Sequence, residues 1–111
     1  MSEEFEVSKI KKIRYNLYHV IFNEEIVQKF TDETMATFRV NQGTVFSKET
    51  YDEMVKNDQV KRAKSRGLDI LSRSSKSKMQ IKSTLKREGF CEEAIENALE
   101  FLENYKFVDD Q

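Results

Sequence analysis

Three lysines recur four residues apart, at Lys78, Lys82 and Lys86, with Arg73, Lys76 and Arg87 close by in the chain. On a helix that spacing lines the three ammonium groups along one side. Such a row suits phosphate oxygens, because each contact releases condensed counterions and makes binding steeply salt-dependent. No aromatic residue is interleaved, which argues against a base-stacking platform. The competing reading is a solvated helix face. A second basic cluster, Lys61, Arg62, Lys64 and Arg66, spreads round its helix, and solvation is the reading adopted for it. Just downstream the sign reverses. Glu92, Glu93, Glu96, Glu100 and Glu103 follow one another along a second helical stretch. Of these, Glu96, Glu100 and Glu103 are the candidate contacts to a basic protein surface, where charge complementarity speeds encounter more than it adds affinity. The alternative is again a solvated face, and Glu92 and Glu93 stabilise the first turn of their helix in either case.

Other reactive side chains offer less. His19 lies among strand-forming residues with no second His and no Cys nearby, so a zinc site lacks ligands and a structural role is expected. Cys91 stands at a helix start, which lowers a thiol pKa, but Glu92 and Glu93 oppose that effect and no base is apparent. An inert, partly buried thiol is the expectation. No Gly-rich phosphate loop, catalytic carboxylate signature or nucleotide motif occurs, so neither an enzyme nor a cofactor, metal or small-molecule substrate is expected.

The elements that would position these residues fall into two parts. Phe5–Ile13 and Tyr15–Phe22 are rich in strand formers and predict a hairpin or meander, with KIKKIR as a partly exposed edge or turn. Glu24–Phe30 fits either a third strand or a short helical turn. Thr31 before Asp32 and Glu33 predicts a capped helix to about Phe38, with Met35 and Phe38 inward. Asn41-Gln42-Gly43 marks a turn, Thr44–Phe46 a return to strand, and Ser47 the cap of a helix burying Tyr51, Met54 and Val55. Asn57-Asp58 predicts a break. Beyond it three short helices are expected to share one core. The first carries Val60, Ala63, Gly67, Ile70 and Leu71, with Gly67 marking a close helix contact. Ser74–Ser77 connects to the second, capped by Ser77 with Ile81 and Leu85 inward, and Gly89 stops it with Phe90 packing back. The third runs from about Glu92 to Tyr105 with an apolar face of Ala94, Ile95, Ala98, Leu99, Phe101, Leu102 and Tyr105. A helix-turn-helix reading is also open, but Gly-Phe at the corner is a cap signal and no side chain specifies base readout.

A chain of 111 residues, 38% hydrophobic and 35% charged with no Trp or Pro, is sized for one modest domain or two small units. The expected fold class is α+β, with a β-containing unit over 1–57 and a three-helix unit over 58–111. The net charge of -1 hides segregation: Lys56–Glu88 holds eleven Lys or Arg, and Gly89–Gln111 holds seven acids against Lys106. A single Cys and an acidic N-terminus without an apolar run predict a cytoplasmic protein that is neither secreted nor membrane-inserted.

One family joins these features. Leu71-Ser72-Arg73, Ser77, Ile81, Leu85, Lys86, Gly89-Phe90, Ile95, Leu99, Leu102 and Phe107-Val108-Asp109-Asp110 together resemble the first three-helix repeat of RecX, the bacterial regulator of the RecA recombinase. KIRYNLY at 12–18, Gly43 and the helix after Ser47 resemble the extension that precedes the repeats in many such proteins. The pattern departs at Ser74 and Ser75, where the family has another Arg and often a Pro, and at Lys78 and Gln80, where it has acids. The family also continues past the paired aspartates into two further repeats, so a fragment or a shortened form is expected. The resemblance implies a non-enzymatic protein that lies in the groove of the RecA filament on single-stranded DNA and restrains recombinase and coprotease activity. Arg73, Lys76, Lys78, Lys82, Lys86 and Arg87 are then candidate RecA or DNA contacts. Two other readings stand beside it: a protein binding single- or double-stranded DNA without RecA, and a fragment dimerising through spare apolar surface of the last helix.

Overall fold

The computed structural model describes residues 3–105. The fold is α+β, and the chain divides into two compact units, Met1–Asp58 and Gln59–Gln111. Asp109 and Asp110, read above as part of the family pattern, lie outside the described residues.

In the N-terminal unit, β1 (Glu4–Arg14), β2 (Leu17–Phe22), β3 (Ile26–Phe30) and β4 (Val45–Ser47) form an antiparallel sheet in the order β3-β2-β1-β4. Of the two readings of Glu24–Phe30 the strand holds, over Ile26–Phe30. KIKKIR is strand throughout, and the turn falls after it at Tyr15-Asn16, where Asn16 takes the left-handed conformation (φ 61°). β4 pairs only with Glu4, Phe5 and Glu6, so the later part of β1 borders no second strand among the described residues. Lysines there blunt the edge against pairing with other chains. The next turn places Asn23 and Glu24 at positive φ, and local bonds hold it. Asn23 Oδ1 accepts from the Glu6 N–H at 3.0 Å, and Ser8 Oγ accepts from the Glu24 N–H at 2.7 Å.

One face of the sheet buries Phe5, Val7, Val20, Phe22, Phe30 and Phe46 against Val40, Tyr51 and Met54. Aromatic geometry organises this core. Phe5 stacks on Tyr51 at 3.9 Å, and Phe22 meets Tyr51 edge-on at 5.0 Å, arrangements that add to plain area burial. Helix α1 (Asp32–Thr37) is capped by Thr31, whose hydroxyl accepts from the Thr34 N–H. Met35 and Phe38 pack on the core only partly buried, while Thr34 is the buried residue of α1.

Helix α2 runs without interruption from Lys48 to Arg73, so no break occurs at Asn57-Asp58. The break signal had another cause. Asp58 is fully buried, and its Oδ1 accepts from the Thr34 hydroxyl at 2.6 Å, the Thr31 N–H at 3.0 Å and the Thr31 hydroxyl at 3.3 Å. A residue that disfavours helix interiors is kept there because its carboxylate ties α1 to α2.

In the C-terminal unit the later turns of α2 pack with α3 (Lys78–Arg87) and α4 (Glu92–Asn104) around Ala63, Ile70, Ile81, Leu85, Ile95, Leu99 and Leu102. A Cβ placed on Gly67 would lie 2.7 Å from Leu102 Cδ1, so α2 approaches α4 where Gly alone fits without adjustment. Tyr105, expected on the apolar face, caps α4 and is 66% exposed, its ring 5.0 Å from that of Phe101.

Candidate interaction surface

Local chemistry fixes α3, which carries the candidate cations. Ser77 and Gln80 form a capping box: Ser77 Oγ accepts from the Gln80 N–H at 3.2 Å, and Gln80 Oε1 from the Ser77 N–H at 2.9 Å. At the other end Gly89 takes φ 93°. Its N–H donates to Lys86 O, and the Phe90 N–H donates to Leu85 O, the paired bonds of a Schellman stop. Phe90 packs against the core, as the chain order predicts. Helix α4 has no side-chain cap at Cys91, which is exposed rather than partly buried, because the core-facing stripe of α4 begins only at Ala94. The Cys91 N–H instead donates to Gln59 Oε1 of α2 at 2.9 Å.

A groove of about 670 Å³ runs between α3 and α4. Lys78 and Lys82 line it from α3, Glu96, Glu100 and Glu103 from α4, and Met79, 69% exposed, adds an apolar rim. Two of the six candidate cations and all three candidate acids, named separately from the sequence, thus share one concavity. They also meet: Lys78 Nζ lies 3.4 Å from Glu103 Oε1. Lys78 is therefore not a free member of a solvent row. Lys82, Lys86 and Arg87 are exposed and make no ion pair among the described residues; Lys86 and Arg87 do not line the groove. Arg73 is largely exposed beside Asp69 at 3.4 Å, and Lys76 is exposed in the α2–α3 connection. Met79 escaped the sequence reading, although its position off the Ile81 and Leu85 stripe was the available signal.

The second basic cluster has internal roles that the sequence does not reveal. Arg62 lies over the Phe90 ring and Lys64 over the Phe101 ring, at 5.4 and 5.1 Å from their centroids. Arg66 donates from Nε and Nη2 to Glu88 at 2.9–3.1 Å and from Nη1 to Asp69 at 2.7 Å. These bonds from Arg66 hold the Glu88 carboxyl below the usual glutamate range, against a smaller opposing effect of burial. The arrangement is structural: a bidentate guanidinium fixes the end of α3 to α2.

Among the described residues no group of three or more His, Cys, Asp or Glu is placed to hold a metal ion, and no helix is long and apolar enough to cross a membrane. The geometry presents a charged groove with an apolar rim on the three-helix unit.

Comparison with known proteins finds one family throughout. Residues 63–102 match the family described as RecX, first three-helix domain, a segment that begins and ends on the core residues Ala63 and Leu102. The regulatory protein RecX of Clostridium acetobutylicum is 30% identical over 107 residues, covering 96% of this chain and 49% of that protein. The regulatory protein RecX of Caldanaerobacter subterraneus subsp. tengcongensis is 29% identical over 102 residues, covering 92% and 52%. A crystal structure of regulatory protein RecX aligns with a TM-score of 0.58 and 26% identity over 96% of this chain and 53% of its own. Residues 63–102 thus match the RecX first three-helix domain, the chain is similar to regulatory proteins RecX over nearly all of its own length, and it spans about half the length of the curated relatives it matches.

Proposed function

We propose that this chain regulates the RecA recombinase by binding its nucleoprotein filament in the bacterial cytoplasm, restraining recombinase and coprotease activity without catalysing a reaction itself. The match of residues 63–102 to the RecX first three-helix domain carries this reading. The groove between α3 and α4 supports it, since Lys82, Glu96 and Glu100 are exposed there for a protein partner of mixed charge. RecA assembled on single-stranded DNA should hydrolyse ATP more slowly when the chain is added. The chain spans about half of its relatives, so the same assay is run on a form joined to the remaining portion of a relative. Unchanged hydrolysis and no filament binding by either form would refute the proposal.

A second reading rests on a separate observation, the exposure of Lys82, Lys86 and Arg87 on α3, of which Arg87 also acts electrostatically on the adjacent Glu88. They would contact phosphates directly, with RecA dispensable. Replacing all three by Glu should then weaken DNA binding and lower the slope of log affinity against log salt by roughly 0.7–0.9 for each phosphate that is no longer neutralised. An unchanged slope removes the role.

A further inference from the structure

The sheet carries a second cationic surface that neither the groove nor the three-helix family match includes. From Ser8 to His19 the chain reads SKIKKIRYNLYH, four cations and no acid. Regular alternation from the buried Val7 would turn Lys9 and Lys11 toward the core. They avoid it because the β1–β2 register shifts between Val7 and Lys9, so that Lys9 pairs with Ile21 and Lys11 with His19 on the face opposite Phe22 and Val20. A second shift, between Lys12 and Arg14, sets Arg14 opposite Leu17 on that same outer face. Bulges commonly serve to re-aim side chains. Here two of them gather Lys9, Lys11 and Arg14 on one side of one strand.

Neighbouring strands extend the patch. His19 lies between Lys11 on β1 and Lys29 on β3, which brings a lysine to either side of one outer-face residue. Lys9, Lys11, Arg14 and Lys29 are all exposed, and none makes an ion pair among the described residues. At the hairpin tip, next to Arg14, the Tyr15 ring is 87% exposed. Folding gains little from that ring or from the crowded cations.

We infer that the outer face of the β1–β2 hairpin is a binding surface for single-stranded nucleic acid, with Lys9, Lys11, Arg14 and Lys29 on phosphates and Tyr15 stacked on a base. A line of cations beside an exposed ring is the combination that tracks a flexible polyanion with unstacked bases. An anionic membrane fits less well, because the exposed aliphatic side chains do not form one patch: Ile13 stands near the hairpin tip, Val27 lies on β3 opposite Ile21 with the Lys11–His19–Lys29 row between it and the tip, and Val45 lies on β4 opposite the acidic Glu6. The surface is separate from α3 and does not depend on a RecA partner.

The test is fluorescence anisotropy of the whole chain with labelled oligothymidylate, without RecA, over a range of salt. Changing Lys9, Lys11 and Arg14 to Gln should weaken binding at least about 10-fold and flatten the salt slope by about 2. Tyr15→Ala should cost roughly 5- to 100-fold on the single strand and little on a duplex, while Tyr15→Phe retains binding. Thermal melting by circular dichroism checks the fold of each variant. If one unfolds, amide shifts of the wild-type chain on oligothymidylate decide instead, and the proposal requires them at 9–19 and 29. It is overturned if the triple variant binds unchanged, if binding is lost only on changing Lys82, Lys86 and Arg87, or if phosphatidylserine vesicles bind this face and the oligonucleotide does not.

Discussion

Thr34→Val should destabilise the protein more than any exposed substitution on α1, although it removes one polar atom and leaves the side-chain shape nearly unchanged. Thr34 is 3% exposed, and its hydroxyl donates to Asp58 Oδ1 at 2.6 Å, a shorter bond than either that Thr31 makes to the same oxygen. A hydrogen bond to a charged group contributes about 1.5–3 kcal/mol, and the Thr31 bonds that stay on this oxygen are the longer ones. Valine and threonine have similar helix propensities and volumes, so neither a cavity nor a propensity change competes. The expected loss is therefore about 1.5–3 kcal/mol. Urea denaturation followed by circular dichroism, with an unchanged m value, measures it. Thr34→Ser separates hydroxyl from methyl: it keeps the bond to Asp58 and gives up one buried carbon, a loss of about 0.8 kcal/mol before any cavity effect. Should serine prove as costly as valine or costlier, the methyl group and not the carboxylate contact would hold Thr34 in place, and the role assigned to Asp58 inside α2 would fail.

Two other perturbations read the helical unit. Gly67→Ala adds a Cβ 2.7 Å from Leu102 Cδ1, and the overpacking, about 1–3 kcal/mol, should outweigh the gain of about 1 kcal/mol in helix propensity. In a Leu102→Ala background the obstruction is gone and the same change should stabilise; an effect of one sign in both backgrounds, in urea titrations, would contradict the packing argument. Glu88, whose carboxyl the Arg66 bonds hold below its ordinary range, contributes stability that is present above its unfolded pKa and lost as pH falls through the lower folded value. Because Arg66 and Glu88 are each about a third exposed, the loss should not exceed about 1 kcal/mol. Stability measured from neutral pH to below about 4.3 should fall less steeply for Glu88→Gln than for wild type, and parallel curves would refute the linkage.

What the sequence made legible was local. Thr31, Ser77 and Gly89 act on backbone groups within five residues, so their chemistry can be read from neighbours alone. Gly67 was readable for a related reason: a helix tolerates such a residue at a cost, and contact with another helix explains the tolerance. Non-local uses of the same residue types misled. Asp58 reads as a helix break until the hydroxyls of Thr31 and Thr34, more than twenty residues away, are seen to need its carboxylate. The four-residue spacing of Lys78, Lys82 and Lys86 describes one helix correctly, but Glu103 on another helix removes Lys78 from the solvent row. The register shifts in β1 are equally hidden, because a bulge alters which side of the sheet a lysine faces without altering composition or spacing.

Charge in the helical unit therefore has to be counted after internal pairing. Arg66 is taken by Glu88 and Asp69 and Lys78 by Glu103, while Arg62 and Lys64 cover the rings of Phe90 and Phe101. On α3 an approaching partner meets Lys82, Lys86 and Arg87, and across the groove from Lys82 it meets Glu96 and Glu100. Both signs then stand on one concavity, which disfavours a uniform polyanion there, since phosphates drawn to Lys82 also approach the two glutamates. A protein surface can place each sign opposite its complement, and like-charge contacts reject surfaces that do not. The outer face of the β1–β2 hairpin has Lys9, Lys11, Arg14 and Lys29 without an interleaved acid, the exposed Glu4 and Glu6 of β1 standing beyond the register shift, so the conflict is weaker there. Charge sign alone thus favours a protein partner at the α3–α4 groove and a nucleic acid at the hairpin.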